Sequence, residues 1–139
     1  MIFPAVNFLA VLLAAVASMA LGFAWYSPYV LGKPWMRLMS LSEKSLKEAQ
    51  KKMGVLYSYS FIGAIIQAAA ITVVLKMAYI PTFEDALLVS GLLWLGFIGV
   101  TQFTDAIFSG KKFLPHLLAI NTSYQLVSIL LMTSIIYLV

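Results

Sequence analysis

Between Ala5 and Trp25 the chain carries no charged side chain. A helix needs about 20 residues, each rising 1.5 Å, to cross the hydrocarbon core of a bilayer. Within that layer every backbone N–H and C=O must find its partner inside the segment, so a helix is expected. A helix of a soluble bundle would need a polar face, and this stretch has none.

Three further apolar stretches follow. The spans are expected at about 5–26, 55–78, 84–108 and 114–138, with a connector over 27–54 that holds a helix at about 41–53. The 139 residues leave no room for a separate soluble domain. The reading is a single all-α, polytopic membrane domain: four transmembrane helices in a bundle plus a short polar cytoplasmic helix. Charged residues make up 10% of the chain, against about a quarter in soluble domains. That leaves too little polar surface to cover a water-soluble particle.

The first stretch contains Ala17-Ser18-Met19-Ala20, small enough to suit a signal peptidase. No Lys or Arg precedes the apolar run, so the basic region of a secretory signal is missing and a retained span is expected. Pro28 ends this span and Pro34 restricts the chain again. Ser40-Leu41-Ser42-Glu43 reads as a capping box for the connector helix, which carries Glu43 and Glu48 four residues before Lys47 and Lys52. Thr82 is a cap for the third span, with Glu84 and Asp85 at the positive end of its dipole.

Small residues recur at four-residue steps in two spans: Ala10, Ala14, Ser18 and Gly22, then Ser60, Ala64, Ala68 and Thr72. Such stripes let helix backbones approach closely, so spans one and two are expected to pack along them. Gln67, near the middle of span two, reads as an interhelical hydrogen-bonding group. Leu21-Gly22-Phe23 is echoed by Leu95-Gly96-Phe97, and Gly32-Lys33 by Gly110-Lys111, at unequal intervals. If the echo is a repeat, the chain is two parallel two-helix units.

The bases are unevenly placed. Lys33, Arg37, Lys44, Lys47, Lys51 and Lys52 lie between spans one and two, and Lys111 and Lys112 between spans three and four. In an antiparallel bundle those connectors share a side, and only Lys76 lies opposite. The positive-inside rule then expects a multi-pass protein of the cell (inner or plasma) membrane, with connectors 27–54 and 109–113 cytoplasmic and both termini outside. Trp25, Tyr26, Tyr29 and Trp35 beside Lys33 mark that interface. This basic block accounts for the net charge of +4 without nucleic acid. It makes membrane lipids the expected partners, with Lys44, Lys47, Lys51 and Lys52 as headgroup candidates.

Several chemistries find no support. There is no cysteine and only one histidine, and no two carboxylates share an obvious site, so no metal centre is expected. No phosphate loop, dinucleotide fingerprint or nucleophile elbow is present. No catalytic residue and no cofactor are assigned, and the chain is not expected to be an enzyme.

Intramembrane polar groups concentrate where spans three and four meet. Gln102 and Asp105 share a helix face at three-residue spacing, and Asn121 and Gln125 share one at four. His116 opens span four. Asp105 is the one carboxylate near the membrane boundary, where an ionisable group is costly and marks a functional candidate. An interfacial ion pair with Lys111, Lys112 or His116 is the plainer reading of it. Gln102, Asp105, His116, Asn121 and Gln125 are therefore candidates for a solute or ion pathway, with Trp25, Tyr26 and Tyr57 at its rim.

Asn7, then Gly22…Trp25-Tyr26-Ser27-Pro28…Gly32-Lys33…Trp35, then Leu93-Trp94-Leu95-Gly96-Phe97, then Ile120-Asn121…Tyr124…Leu126-Val127 occur in this order. This pattern resembles a family of small prokaryotic integral membrane proteins known only as a domain of unknown function. The resemblance covers essentially the whole chain, and its most specific part is the Trp-Tyr-Ser-Pro segment with the downstream Gly-Lys and Trp. Phe8 departs from the Trp that follows the Asn in that family. The resemblance implies a four-span prokaryotic membrane protein and no activity. The residues themselves suggest an oligomeric transporter- or channel-like protein with a polar pathway on spans three and four. The alternative is a non-transporting scaffold or lipid- or partner-binding protein acting through the basic connector.

Overall fold

The computed structural model describes residues 4–139, which are helical with no strand among them. In order these are α1 (Phe8–Trp25), α2 (Gly32–Leu38), α3 (Glu43–Lys51), α4 (Met53–Met77), α5 (Phe83–Leu93), a π-helical segment (Trp94–Gly99), α6 (Val100–Phe108) and α7 (Pro115–Leu138). The run from α5 through α6 is one continuous helix, Phe83–Phe108. With α1, α4 and α7 it makes four helices long and apolar enough to cross a membrane. The chain is a four-helix membrane bundle with two short helices in its first connector.

Helix starts are set by side chains that take up unpaired N–H groups. Asn7 Oδ1 accepts from the Leu9 and Ala10 amides at 3.1 and 3.3 Å and starts α1. Thr82 accepts from the Asp85 amide at 3.1 Å and donates its hydroxyl to the Asp85 carboxylate at 2.8 Å, starting α5. α3 is capped by Ser42, which accepts from the Ser45 amide at 3.1 Å, and not by Ser40. Ser40 has a φ of 54°, whereas an N-cap requires an extended backbone. The Glu43 side chain, the other half of the expected box, lies outside the described residues.

α2 is an addition to the sequence-based expectation. Pro34 is its third residue, where the helix has no intrahelical partner for an N–H. Proline therefore helps begin this helix instead of excluding one. The turn before it is built around Gly32. The Gly32 amide bonds the Ser27 carbonyl at 2.8 Å, and the Leu31 amide bonds the Trp25 carbonyl at 3.0 Å. A Cβ on Gly32 would fall 2.6 Å from the Ser27 carbonyl carbon and oxygen, and closer still to the Tyr26 carbonyl oxygen.

α1 packs on α4 and α7, and α7 also packs on α5 and on part of α4. Apart from Gly32, the buried residues occupy one half of the bundle. They are Ala10 to Ser18 on α1, Ala64 to Leu75 on α4, Ala86 and Ser90 on α5, and Ser128 to Thr133 on α7. Because the helices are antiparallel, this is the half that carries the N-terminal stretch, the α4–α5 loop and the C-terminus. We call it the terminal half, and the opposite one the connector half.

The terminal half is held together by polar contacts as well as by packing, with one cleft of about 270 Å³ at its end beside Thr72, Lys76, Tyr79 and Tyr137. Ser18 and Ser128 hydroxyls meet at 2.8 Å, and Ser90 and Thr133 hydroxyls at 2.5 Å, all four buried. Thr72 bonds its own helix at the Ala68 carbonyl, 2.9 Å away. At the very end Lys76 donates to the Ala5 carbonyl, and the Tyr137 hydroxyl donates to the Pro81 carbonyl at 3.1 Å. Gln67 is half-buried, and in the core of this half helices are joined by these hydroxyl pairs instead.

The two small-residue stripes share a core only over this half. Further along, Ser18 and Gly22 serve α7: a Cβ on Gly22 would sit 3.0 Å from the Tyr124 hydroxyl oxygen. Ser60 on α4 is exposed. The echoed glycines also do different work. Gly22 meets Tyr124, whereas nothing lies within 4 Å of a Cβ on Gly96; Gly32 closes a tight turn, whereas Gly110 takes a φ of 73° in the open. The four positions give no structural support to a two-unit repeat.

Candidate functional site

The connector half is splayed. α6 and the π-helical segment bury no residue, and neither do the first thirteen residues of α7. Two clefts occupy the space this leaves. A polar cleft of about 470 Å³ lies between α6, the start of α7 and the end of α2, and is lined by Gln102, Asp105, Lys111, Lys112, Asn121 and Met39 among others. A second crevice of about 580 Å³ lies between α1 and α4, with Tyr26, Trp35, Met39, Asn121 and Tyr124 on its walls. Asn121 and Met39 belong to both.

The π-helical segment explains why one continuous helix both packs and opens. Before it, Ala86 and Ser90 face α7 and are buried. A π turn takes up an extra residue, so the side chains that follow are rotated relative to those before. Trp94, at the start of the segment, donates its indole N–H to the Thr122 carbonyl of α7 at 2.9 Å, pinning the helix there. Beyond this pin Gln102 and Asp105 project from one face of α6 into the polar cleft.

Within that cleft Gln102 Oε1 is buried without a hydrogen-bond partner. A buried amide oxygen left unpaired costs roughly 1–3 kcal/mol. Asp105 is exposed, and among the described residues it forms no ion pair within 4.0 Å with Lys111, Lys112 or His116. The expected interfacial pair is therefore replaced by an open carboxylate facing two lysines across a cavity.

Asn121 is fixed by the aromatic residues that end α1. The Tyr26 hydroxyl donates to Asn121 Oδ1 at 2.8 Å, and the Trp25 indole donates to the Ile120 carbonyl at 3.2 Å. Tyr124 donates in turn to the Ser18 carbonyl at 3.3 Å. The rings close into a cluster, with Tyr26–Trp35 and Tyr26–Tyr124 centroids 5.3 and 5.4 Å apart. Tyr57 meets Phe23 edge-on at 4.9 Å and lines the second crevice but not the polar cleft.

The structure thus brings Gln102, Asp105 and Asn121 together and sets Tyr26 against them. His116 and Gln125 fall outside the polar cleft. His116 lies five residues before Asn121, about 140° around the helix from it, and is exposed. Gln125 shares the face of Asn121 but sits one turn deeper, past the floor of the cleft. Lys44, Lys47, Lys51 and Lys52 are all exposed and line neither cleft.

The sequence pattern included Trp94 in the Leu93–Phe97 motif but assigned it no contact, and it did not foresee the roof that α2 makes. Trp35, Leu38 and Met39 line the clefts while Lys33 and Arg37 are exposed. That three- and four-residue spacing of apolar side chains was the available signal of an amphipathic helix. Among the described residues no group of three or more His, Cys, Asp or Glu is placed to hold a metal ion.

No curated protein and no solved structure matches the chain. The family pattern that does match spans residues 9–137, nearly all of the bundle just described, and includes every residue of the polar cleft. The chain belongs to the family described as "Protein of unknown function (DUF1761)".

Proposed function

We propose that the protein is a small membrane transporter in a conformation open at the connector end, with the polar cleft as its solute site. The observation that carries this reading is the one-sided packing: a bundle close-packed in its terminal half, where the remaining cleft is the smaller at about 270 Å³, and splayed around unpaired polar groups in the other. A permanent pore would leave a polar path through both halves. Here Ser18–Ser128 and Ser90–Thr133 satisfy one another inside a close-packed core. One carboxylate, two amides and two lysines around the cleft suit a small dipolar solute with both donors and acceptors. Catalysis is not part of the reading.

Under the positive-inside rule the open end faces the cytoplasm of a prokaryotic cell and both termini lie outside. A complete transport cycle in so small a bundle calls for a second copy. The third span, which buries the smallest share of its residues, is the surface available for it. The test is flux into proteoliposomes from a panel of small zwitterionic and cationic solutes. Wild-type flux should be lost in Asp105→Asn and Gln102→Leu. A flux indifferent to both substitutions removes the cleft from the mechanism.

The exposure of Lys44, Lys47, Lys51 and Lys52 favours a second reading, a scaffold that grips anionic lipid or a partner through α3. Neutralising those four lysines would then weaken binding to anionic vesicles, while Asp105→Asn would change nothing.

A further inference from the structure

We infer that the crevice between α1 and α4 is a binding site for one acyl chain of an anionic phospholipid, with the headgroup held at the start of α4. The inference is independent of the transport reading; it shares Lys52 with the scaffold reading but places the acyl chain in the crevice, away from Lys44 and Lys47 of α3.

The walls point to hydrocarbon. Met19, Met39, Met53, Phe23, Trp35 and Leu56 supply half of the lining residues. Thioethers and aromatic rings adapt to a flexible chain without demanding one shape. Two of the hydroxyls that reach this space are already engaged: Tyr26 donates to Asn121 and Tyr124 to the Ser18 carbonyl. The neighbouring cleft, by contrast, holds the two lysines, the Asp105 carboxylate and the orphaned Gln102 oxygen.

The dimensions fit a single chain. The volume of about 580 Å³ falls within the range of about 300–1,000 Å³ typical of small-molecule sites. On α4 the lining runs from Met53 to Ser60, a depth of about 10 Å at 1.5 Å per residue. Half of a hydrocarbon core is about 15 Å thick. The crevice therefore begins at headgroup level and follows an acyl chain through most of one leaflet.

The charge at its mouth selects the headgroup. Lys52 is exposed and lies just outside the lining, beside Met53 and one helical turn before Leu56, both of which line the crevice. The connector that roofs the space carries six bases, all exposed, against Glu43 and Glu48. An anionic lipid satisfies both the apolar walls and this basic mouth, and a zwitterionic one satisfies only the walls.

The experiment reconstitutes the full chain in vesicles of equimolar phosphatidylglycerol and phosphatidylcholine, extracts it in mild detergent and counts retained lipid by native mass spectrometry. We expect about one phosphatidylglycerol per chain, retained in preference to phosphatidylcholine. Ser60→Phe, which places a ring in the crevice, should abolish that retention. Lys52→Gln should lower it about fivefold, whereas Lys44→Gln with Lys47→Gln should leave it unchanged. Leu56→Trp fills the same space from the preceding turn of α4 and is read instead if Ser60→Phe loses helical content. Equal retention of the two lipids overturns the inference. So does wild-type retention in a folded, crevice-filled variant.

Discussion

Tyr26, the C-terminal cap of α1, donates its hydroxyl to Asn121 Oδ1 at 2.8 Å, joining positions 95 residues apart. The bond ties the tip of the first span to the connector half of the last, at Asn121, one of the two residues shared by both clefts. Tyr26 is held for it by ring contacts to Trp35 on one side and Tyr124 on the other.

Double-mutant analysis of Tyr26→Phe and Asn121→Ala should therefore show a favourable coupling of about 0.6–1.7 kcal/mol, the span measured for interhelical hydrogen bonds in membranes. Unfolding in mixed detergent micelles measures it. A coupling indistinguishable from zero would mean that the aromatic cluster alone positions the two helices.

Gly32→Ala should destabilise the protein by roughly 1–3 kcal/mol, as overpacking does elsewhere. The new methyl would meet the Ser27 carbonyl at 2.6 Å, and this is backbone that cannot swing aside. Gly63→Ala and Gly96→Ala, with nothing within 4 Å of the added carbon, should be neutral or slightly stabilising through helix propensity. Thermal melting of the three variants side by side checks the contrast.

The one-sided packing predicts one-sided accessibility. The chain has no cysteine, so single cysteines report cleanly. At positions 102, 105 and 121 they should react with a water-soluble maleimide, and at 128 and 133 they should not. Comparable labelling at both sets of positions would contradict the closed terminal half.

Ser90 and Thr133 satisfy each other in the core. Ser90→Ala or Thr133→Val alone leaves one buried hydroxyl without its partner, at a cost of about 1 kcal/mol. The double substitution should cost less than the sum of the two. Strict additivity, measured by the same unfolding assay, would show that the hydroxyls act separately.

The legible parts of this protein are those encoded by one-dimensional pattern. The absence of charge between Ala5 and Trp25 and the dearth of polar surface forced a membrane bundle, because no other solvent accommodates those residues. Thr82 and Asp85 announced a helix start through spacing alone. The proximity of Gln102, Asp105 and Asn121 was readable because a short loop joins their helices, so depth follows from counting residues. The exclusion of His116 was not, since it depends on how far α7 is rotated about its axis. Nor was α2: Pro34 breaks a helix or begins one according to where the first turn falls, and Gly32 decides that by closing on the Tyr26 and Ser27 backbone.

By itself, then, the sequence determined the solvent, the spans and the polar groups that no bilayer tolerates without reason. Those follow from composition and helical period, which are local properties of the chain. Only the tertiary structure decided that the core fills one half of the bundle and leaves the other open. Burial is a relation between helices, settled by hydroxyl pairs such as Ser18–Ser128 and by the π turn at Trp94. It also decided that Tyr26 and Asn121, distant in sequence, meet where the two clefts join.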